Sequence, residues 1–415
     1  MTSNHRTALE KVRLGVIGLG GRGSGLHGLL LNMDDVEVPA ISDVYEDRME
    51  KNAEAAYKKR GVMPNTYQDY RELLDKEDLD GVIIPSSWTS HAEIAIAAME
   101  SGKYAAVEVG GASSVQECWD LVRTSERTGK PCMMLENCCY GREEMTLLNM
   151  IKKGLFGEII HCQGGYEHDL RHEVSHGLIN RHYRFRNYQN RNGEVYPTHE
   201  LGPIAKYLNI NRGNRFLSLT SMSSKARGLH EYIVNTMGPE HPLASVQFTQ
   251  GDIVTTMIKC AHGETVFLIH DTTLPRPYSR GGRVQGTKGI WMEDNQSIHF
   301  DGITPHEQWE PFKKYLEEYE HPLWKWYREE GVRGGHGGMD YLVLRAYVES
   351  IKNQTDTPID VYDTATWMVI TCLSEDSVAM GSMPVPIPDF TNGKWIDRKE
   401  PKPWKYSLDV IPETI

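Results

Sequence analysis

The sequence predicts an α/β chain in two main parts: an N-terminal doubly wound parallel sheet plus a C-terminal α+β domain with an open, mainly antiparallel sheet. Three observations carry this. Short apolar strands alternate with helical stretches of roughly 10 to 15 residues as far as Leu135, the pattern of a parallel sheet with crossover helices. Near Gly157 the texture changes and the strand-like segments lengthen. At roughly 150 residues per domain, 415 residues hold two to three domains. We expect divisions at 1–155 and 156–390, with a C-terminal tail over 391–415.

Each element has a local reason. Val12 to Gly18 is short, apolar and runs into Gly18-Leu19-Gly20-Gly21-Arg22-Gly23, so it reads as the first strand. A helix over Ser24 to Met33 follows, then a strand over Val36 to Ser42 that ends at Asp43. Ala, Lys and Glu mark a helix over Asp47 to Arg60, and Arg71 to Lys76 reads as a shorter one. Gly81 to Pro85 and Lys103 to Val109 are apolar strands around an amphipathic helix, His91 to Ser101. Helix Ser114 to Thr128 and strand Cys132 to Leu135 complete the first part. Beyond it, Ile159 to Tyr166, Phe216 to Ser223, Ile253 to Cys260, Thr265 to Thr272 and Gly282 to Thr287 read as an open sheet. Helices such as Gly338 to Lys352 and Tyr362 to Met380 are expected on one side of it. The segment Glu167 to Pro197 is polar, rich in Arg, His and Asn, and resists assignment; long irregular segments in compact domains are often functional.

Composition excludes several classes. Hydrophobic residues are 39% and charged residues 25%, the balance of a globular chain rather than a disordered one. A net charge of −12 speaks against nucleic acid and anionic membrane as partners. No apolar run reaches the roughly 18 residues of a membrane span. Met1 to Lys11 is polar and lacks the apolar stretch of a signal peptide, so a cytoplasmic location is expected, or a periplasmic or secreted one if a leader has been removed. Seven cysteines with no CxxC pair argue for reduced, buried thiols over disulfides or a cysteine zinc site.

The glycine loop is the first motif with chemistry. It lies directly between a strand and a helix, the setting in which GxGxxG binds a dinucleotide in a Rossmann domain. Gly18, Gly20, Gly21 and Gly23 let the backbone approach a pyrophosphate at a helix N-terminus. Asp43 lies 20 residues past Gly23 at a strand end, where a carboxylate receives ribose hydroxyls and repels a 2′-phosphate. NAD is therefore expected over NADP.

Other clusters carry a chemical and a blander reading side by side. His168, His172 and His176 fall at i, i+4, i+8 and on a helix would share one face, as metal ligands do. No HExxH accompanies them, so polar loop histidines are expected, and no metal. Tyr196-Pro197-Thr198-His199 places Tyr and His three residues apart before a helix over Gly202 to Leu208. His titrates near neutrality, and Tyr passes protons when its pKa is lowered. Arg184 and Arg186 lie upstream, with forked donors suited to a polar ligand. Pro275-Arg276-Pro277-Tyr278-Ser279-Arg280 is a rigid polar loop after a strand, suited to a sugar.

With these residues in view the chain resembles the Gfo/Idh/MocA oxidoreductase superfamily. The region Trp88-Thr89-Ser90-His91, Gly102-Lys103 and Glu108-Val109 carries that pattern. The usual Glu-Lys-Pro is here Glu108-Val109-Gly110, without the lysine that assists hydride transfer. The substitution is similar to a narrower group, glycoside hydrolase family 109, the NAD-dependent α-N-acetylgalactosaminidases. Gly21-Arg22, Asp43, Trp88 to His91, Glu108-Val109, Glu136-Asn137, Gly165-Tyr166 before His168 to Arg171, Tyr196 to His199, Pro275 to Tyr278 and His336 to Asp340 match it in order. One departure is Glu200, where the family usually has Gly; a carboxylate there is expected to bear on substrate or mechanism.

The resemblance implies roles. Gly21, Arg22, Asp43, Trp88, His91, Glu108, Val109 and Asn137 would contact NAD. Tyr166, Arg184, Tyr196, Pro197, Thr198, His199 and Tyr278 would line a carbohydrate pocket, with His199 and Tyr196 handling protons. The implied reaction cleaves N-acetylgalactosaminides through transient oxidation at C3, deprotonation at C2, elimination, water addition and re-reduction. A net NAD-dependent sugar oxidoreductase and a non-catalytic NAD-binding regulator stand as alternatives, and a homo-oligomer is expected.

Overall fold

A computed structural model describes residues 9–399 and 401–413. The leader reading rests largely on residues 1–8, which lie outside the described residues, as do the last two residues of the expected tail. Among the described residues two sheets form. The first comprises β1 (Val12–Ile17), β2 (Val36–Ser42), β3 (Asn65–Tyr67), β4 (Gly81–Ile84), β5 (Tyr104–Val107) and β6 (Cys132–Met134). Its order is β3-β2-β1-β4-β5-β6 and every pairing is parallel. β1, β4, β5 and β6 are almost wholly buried, which is why they read as unbroken apolar runs. The strand order reverses between β1 and β4, so a crevice opens at their carboxyl ends.

The second sheet comprises β7 (Ile159–Glu167), β8 (Phe216–Ser223), β9 (Ile253–Cys260), β10 (Thr265–Asp271), β11 (Arg283–Gly286), β12 (Gly289–Met292), β13 (Ser297–Phe300), β14 (Glu310–Pro311) and β15 (Val385–Pro386). Its order is β14-β13-β12-β11-β7-β10-β9-β8-β15. Only β7 and β10 pair in parallel; the remaining pairings are antiparallel.

Two helices depart from expectation. Helix Met339–Asn353 covers the first sheet rather than the second: the buried Tyr347 hydroxyl donates to the Val82 carbonyl at 3.1 Å, and Arg345 forks onto Asp35. Helix Thr198–Tyr207 starts four residues earlier than read, so Thr198 and His199 lie in its first turn. Pro203 inside it removes the amide that would bond the His199 carbonyl. The stretch before it, which resists assignment from sequence, contains two short helices, Arg171–Ser175 and Arg184–Asn190.

The C-terminal segment packs onto the core. Asp409 meets Lys206 at 3.0 Å and Arg212 at 2.8 Å, and Asp363 joins both cations at 2.7 Å. These charges are buried, so removing one partner would cost roughly 3–5 kcal/mol. The cluster anchors the C-terminal end of helix Thr198–Tyr207, the element that presents His199. Among the described residues no helix is long and apolar enough to cross a membrane. All seven cysteines are free and buried.

Candidate active site

The glycine loop closes on itself. Gly18 has φ +105°, and a Cβ there would come within 2.7 Å of the Ser86 backbone. A Cβ on Gly23 would sit 2.0 Å from the Gly18 carbonyl oxygen. A Cβ on Gly21 would meet nothing within 4 Å, so the loop's outer face opens on free space. Helix Gly21–Leu30 begins inside the motif, and its first-turn amides, which have no intrahelical partners, face that space. Asp43 is buried at the end of β2: one oxygen accepts from the Leu19 amide at 2.6 Å, the other from the Tyr45 amide at 2.9 Å. These residues fit a dinucleotide.

Arg22 is held between two carboxylates. It donates to Glu108 at 2.8 Å and forks onto Asp340 at 2.8 and 3.0 Å. Asn137 and His336 bond the same Asp340 carboxylate, each at 2.8 Å. Burial alone would raise Asp340, but His336 and Arg22 hold it well below the usual carboxylate range. That hydrogen bond to Asp340 in turn raises His336. Val109 lines the cavity, while the Glu108 carboxylate accepts from the Val109 amide at 3.1 Å. His91 is buried, bonds the Ser86 carbonyl at 3.1 Å and is pushed down to about 4 by burial, so it is neutral. The buried Trp88 ring covers Gly110, where a Cβ would meet it at 2.3 Å.

A cavity of 1190 Å³ runs from this loop into the second domain, reaching Tyr166, Arg184, Tyr196 and His199. Tyr196 Oη lies 3.3 Å from His199 Nε2, with the rings perpendicular. His199 Nδ1 meets Glu136 Oε1 at 2.8 Å. Glu136 is fully buried and also accepts from the Cys138 amide at 3.0 Å. Burial would raise its pKa, but the His199 charge and hydrogen bond pull it below the usual range. Gly202 makes this approach possible: a Cβ there would stand 2.9 Å from Glu136 Cγ.

Aromatic rings build the rest of the wall. Tyr166 packs 4.4 Å from Tyr196, and its hydroxyl bonds His168 Nδ1 at 3.0 Å. Tyr278 stands 5.1 Å from His168 and is half exposed, outside the residues that line the cavity. Its loop is pinned by paired Glu167–Ser279 backbone bonds at 3.0 and 3.2 Å. Arg184 lies over Tyr196 at 5.2 Å, over Trp88 at 5.6 Å and over Tyr166 at 5.7 Å, and pairs with Glu173 at 2.5 Å. Its Nε is buried with no hydrogen-bond partner among the described residues. Burial raises the phenols of Tyr196, Tyr166 and Tyr278, so each keeps its proton at neutral pH. That is opposite to the lowered Tyr pKa the sequence suggested for Tyr196.

Not every expected residue reaches the cavity. Pro197 and Thr198 are buried in the turn into helix Thr198–Tyr207, behind the wall that Tyr196 and His199 form. Glu200 also points away, its Cγ against Gly164 of β7, where burial holds it well above the usual carboxylate range. The histidine series splits: His168 turns to Tyr166, while His172, inside the five-residue helix Arg171–Ser175, and His176, at its C-terminal cap, stack on each other at 4.2 Å. Among the described residues Glu136, Cys138 and His199 form a cluster of metal-ligating types. Its imidazole and carboxylate already bond each other, and burial keeps its thiol protonated. Glu136, His168, Tyr183 and His336 were not assigned roles from sequence. Glu136 had a signal, since it follows β6 at the carboxyl edge of the parallel sheet where ligands bind.

Comparisons with known proteins agree with this construction. Residues 12–136 match the oxidoreductase family with an NAD-binding Rossmann fold, and residues 140–397 match the glycosyl hydrolase 109 C-terminal domain. A glycosyl hydrolase family 109 protein of Stenotrophomonas maltophilia is 46% identical, covering 94% of this chain and 91% of its own length. An α-N-acetylgalactosaminidase of Tannerella forsythia is 42% identical, covering 94% and 88%. The crystal structure of scyllo-inositol dehydrogenase from Lactobacillus casei with bound NAD(H) and scyllo-inositol shares the fold, with TM-score 0.63 at 13% identity, covering 91% of this chain and 99% of that one. With an NAD-binding Rossmann domain joined to this C-terminal domain, the chain belongs to glycosyl hydrolase family 109.

Proposed function

We propose that the protein is an NAD-dependent glycosidase that cleaves N-acetylgalactosaminides by oxidation and elimination. The observation that carries this is the His199–Tyr196 pair, 3.3 Å apart, on the same cavity as the glycine loop. Gly18, Gly20 to Gly23, Arg22, Asp43, Glu108 and Asn137 would hold NAD, which when bound supplies reversible oxidation of the sugar at C3. With C3 at the ketone level the C2 hydrogen is acidified, and His199 Nε2 takes that proton. The C2–H electron pair then expels the group at C1. Water adds at C1, and the proton returns to C2 from His199. Tyr196, which holds its proton at rest, passes the O3 proton to solvent as C3 reaches the ketone level and returns it on re-reduction, and the departing group takes its proton from the incoming water. Arg184, Tyr166 and Tyr278 orient the ring.

Direct displacement at C1 ordinarily uses two free carboxylates across the scissile bond. Three carboxylates line the cavity among the described residues, and each is engaged: Asp43 by two backbone amides, Glu108 by Arg22, Glu173 by Arg184. That distribution supports elimination. Aryl N-acetylgalactosaminides of both anomers test the reading. One anomer is expected to release aglycone without stoichiometric NADH; NADH formation matching substrate consumption would make the protein a net oxidoreductase.

A further inference from the structure

We propose that residues 176–183 of the second domain clamp the adenosine end of the dinucleotide cleft, and that the Arg181–Asp47 pair is the latch. The segment lies between helices Arg171–Ser175 and Arg184–Asn190 and is closed by its own backbone: the Asn180 amide donates to His176 and the His182 amide to Gly177, at 2.9 and 2.8 Å. It crosses to the first domain beside Asp43. Arg181 forks onto Asp47 at 2.9 and 2.6 Å. Arg48 reaches the opposite way, donating to the Asn180 and Arg181 carbonyls at 3.2 and 3.3 Å. Both guanidiniums stack on Tyr45, at 4.3 Å for Arg181 and 4.7 Å for Arg48. At the inner end Tyr183 packs 4.8 Å from Trp88.

The cavity wall at this end is therefore made by two domains: Asp43, Tyr45 and Arg48 from one, Leu178, Asn180 and Arg181 from the other. A dinucleotide whose ribose meets Asp43 lies under the clamp, and leaving requires the cross-domain bonds to part. A net dehydrogenase must exchange its cofactor every turnover, whereas an enzyme that re-reduces its own intermediate gains from holding it. The purpose of the clamp thus rests on the recycling reading above; its existence does not.

The test uses full-length protein loaded with NADH and mixed with excess NAD, following bound-NADH fluorescence as it is displaced. Each charge change leaves like charges facing each other, Asp47→Lys against Arg181 and Arg48, Arg181→Glu against Asp47. Such juxtaposition is costly, so release is expected to accelerate roughly tenfold in each variant. The exchanged pair Asp47→Lys with Arg181→Glu is expected to return release to within about twofold of the parent, since the cycle isolates the pair. Raising salt to about 0.5 M should speed the parent and slow Asp47→Lys, because attraction and repulsion between exposed charges are both screened. Unchanged release in the single variants, or an exchanged pair as fast as the singles, overturns the latch. Aglycone release is measured separately on the parent. Its absence alongside slow, latch-dependent NADH release would discard the glycosidase reading and keep the clamp.

Discussion

Glu136 Oε1 stands 2.8 Å from His199 Nδ1, across the gap that Gly202 leaves open. A carboxylate there fixes the imidazole with its proton on Nδ1 and its lone pair on Nε2, toward Tyr196 and the cavity. Glu136→Gln keeps the shape and loses the charge. It is expected to lower the rate of aglycone release by roughly 10²-fold or more, within the range of general acid–base assistance. Gly202→Ala, which pushes Glu136 aside, should act in the same direction. Steady-state kinetics on an aryl substrate check both, and an unchanged rate in Glu136→Gln would show that His199 needs no partner.

His199→Ala and Tyr196→Phe test the pair itself. Each should cut turnover by roughly 10²–10⁴. NAD affinity should hold, because neither side chain belongs to the glycine loop or to the Arg22 network. Calorimetric titration with NAD separates lost chemistry from lost cofactor.

Much of the first domain was legible before any coordinates. Its central strands are buried on both faces and so read as apolar runs, and the glycine loop names its own geometry. Strand Asn65–Tyr67 was missed because it is short, lies at the sheet edge and carries no apolar pattern. Amphipathy showed that Met339–Asn353 buries a face but not which sheet receives it. The site was half legible for a similar reason. Tyr196 and His199 are close in sequence, whereas Glu136 is 63 residues from His199 and meets it only through folding. Glu200 misled because a residue adjacent in sequence to His199 is turned about 100° from it round the helix, here toward Gly164.

Asp43→Ala should weaken NAD and narrow its preference over NADP. The substitution removes the ribose acceptor and the tie to the Leu19 amide, and it frees Arg48, 3.7 Å away, to meet a 2′-phosphate. Dissociation constants for both dinucleotides measure this, and an unchanged ratio would remove Asp43 from the ribose site.

Acid should loosen helix Met339–Asn353 from the first domain. Burial would raise Asp35, but hydrogen bonds from Arg345 and Lys352 pull it down to about 2. A depressed carboxylate stabilises fully above its unfolded value near 3.9, and that stability is lost as pH falls through about 2. Asp35→Asn should therefore lower the melting temperature at pH 7 and shrink the difference from the parent as pH drops below about 4. Parallel melting curves for parent and variant across that window would contradict the assignment.

Exchange at C2 tests the central claim most directly. Cleavage is run in deuterated water and the released sugar examined by mass spectrometry and NMR, with C2-deuterated substrate timed in parallel. Proton removal by His199 predicts deuterium at C2 of the product, or, where the proton is shielded from solvent, a primary isotope effect from the labelled substrate. Product carrying only hydrogen at C2, with no isotope effect while aglycone is still released, would contradict elimination.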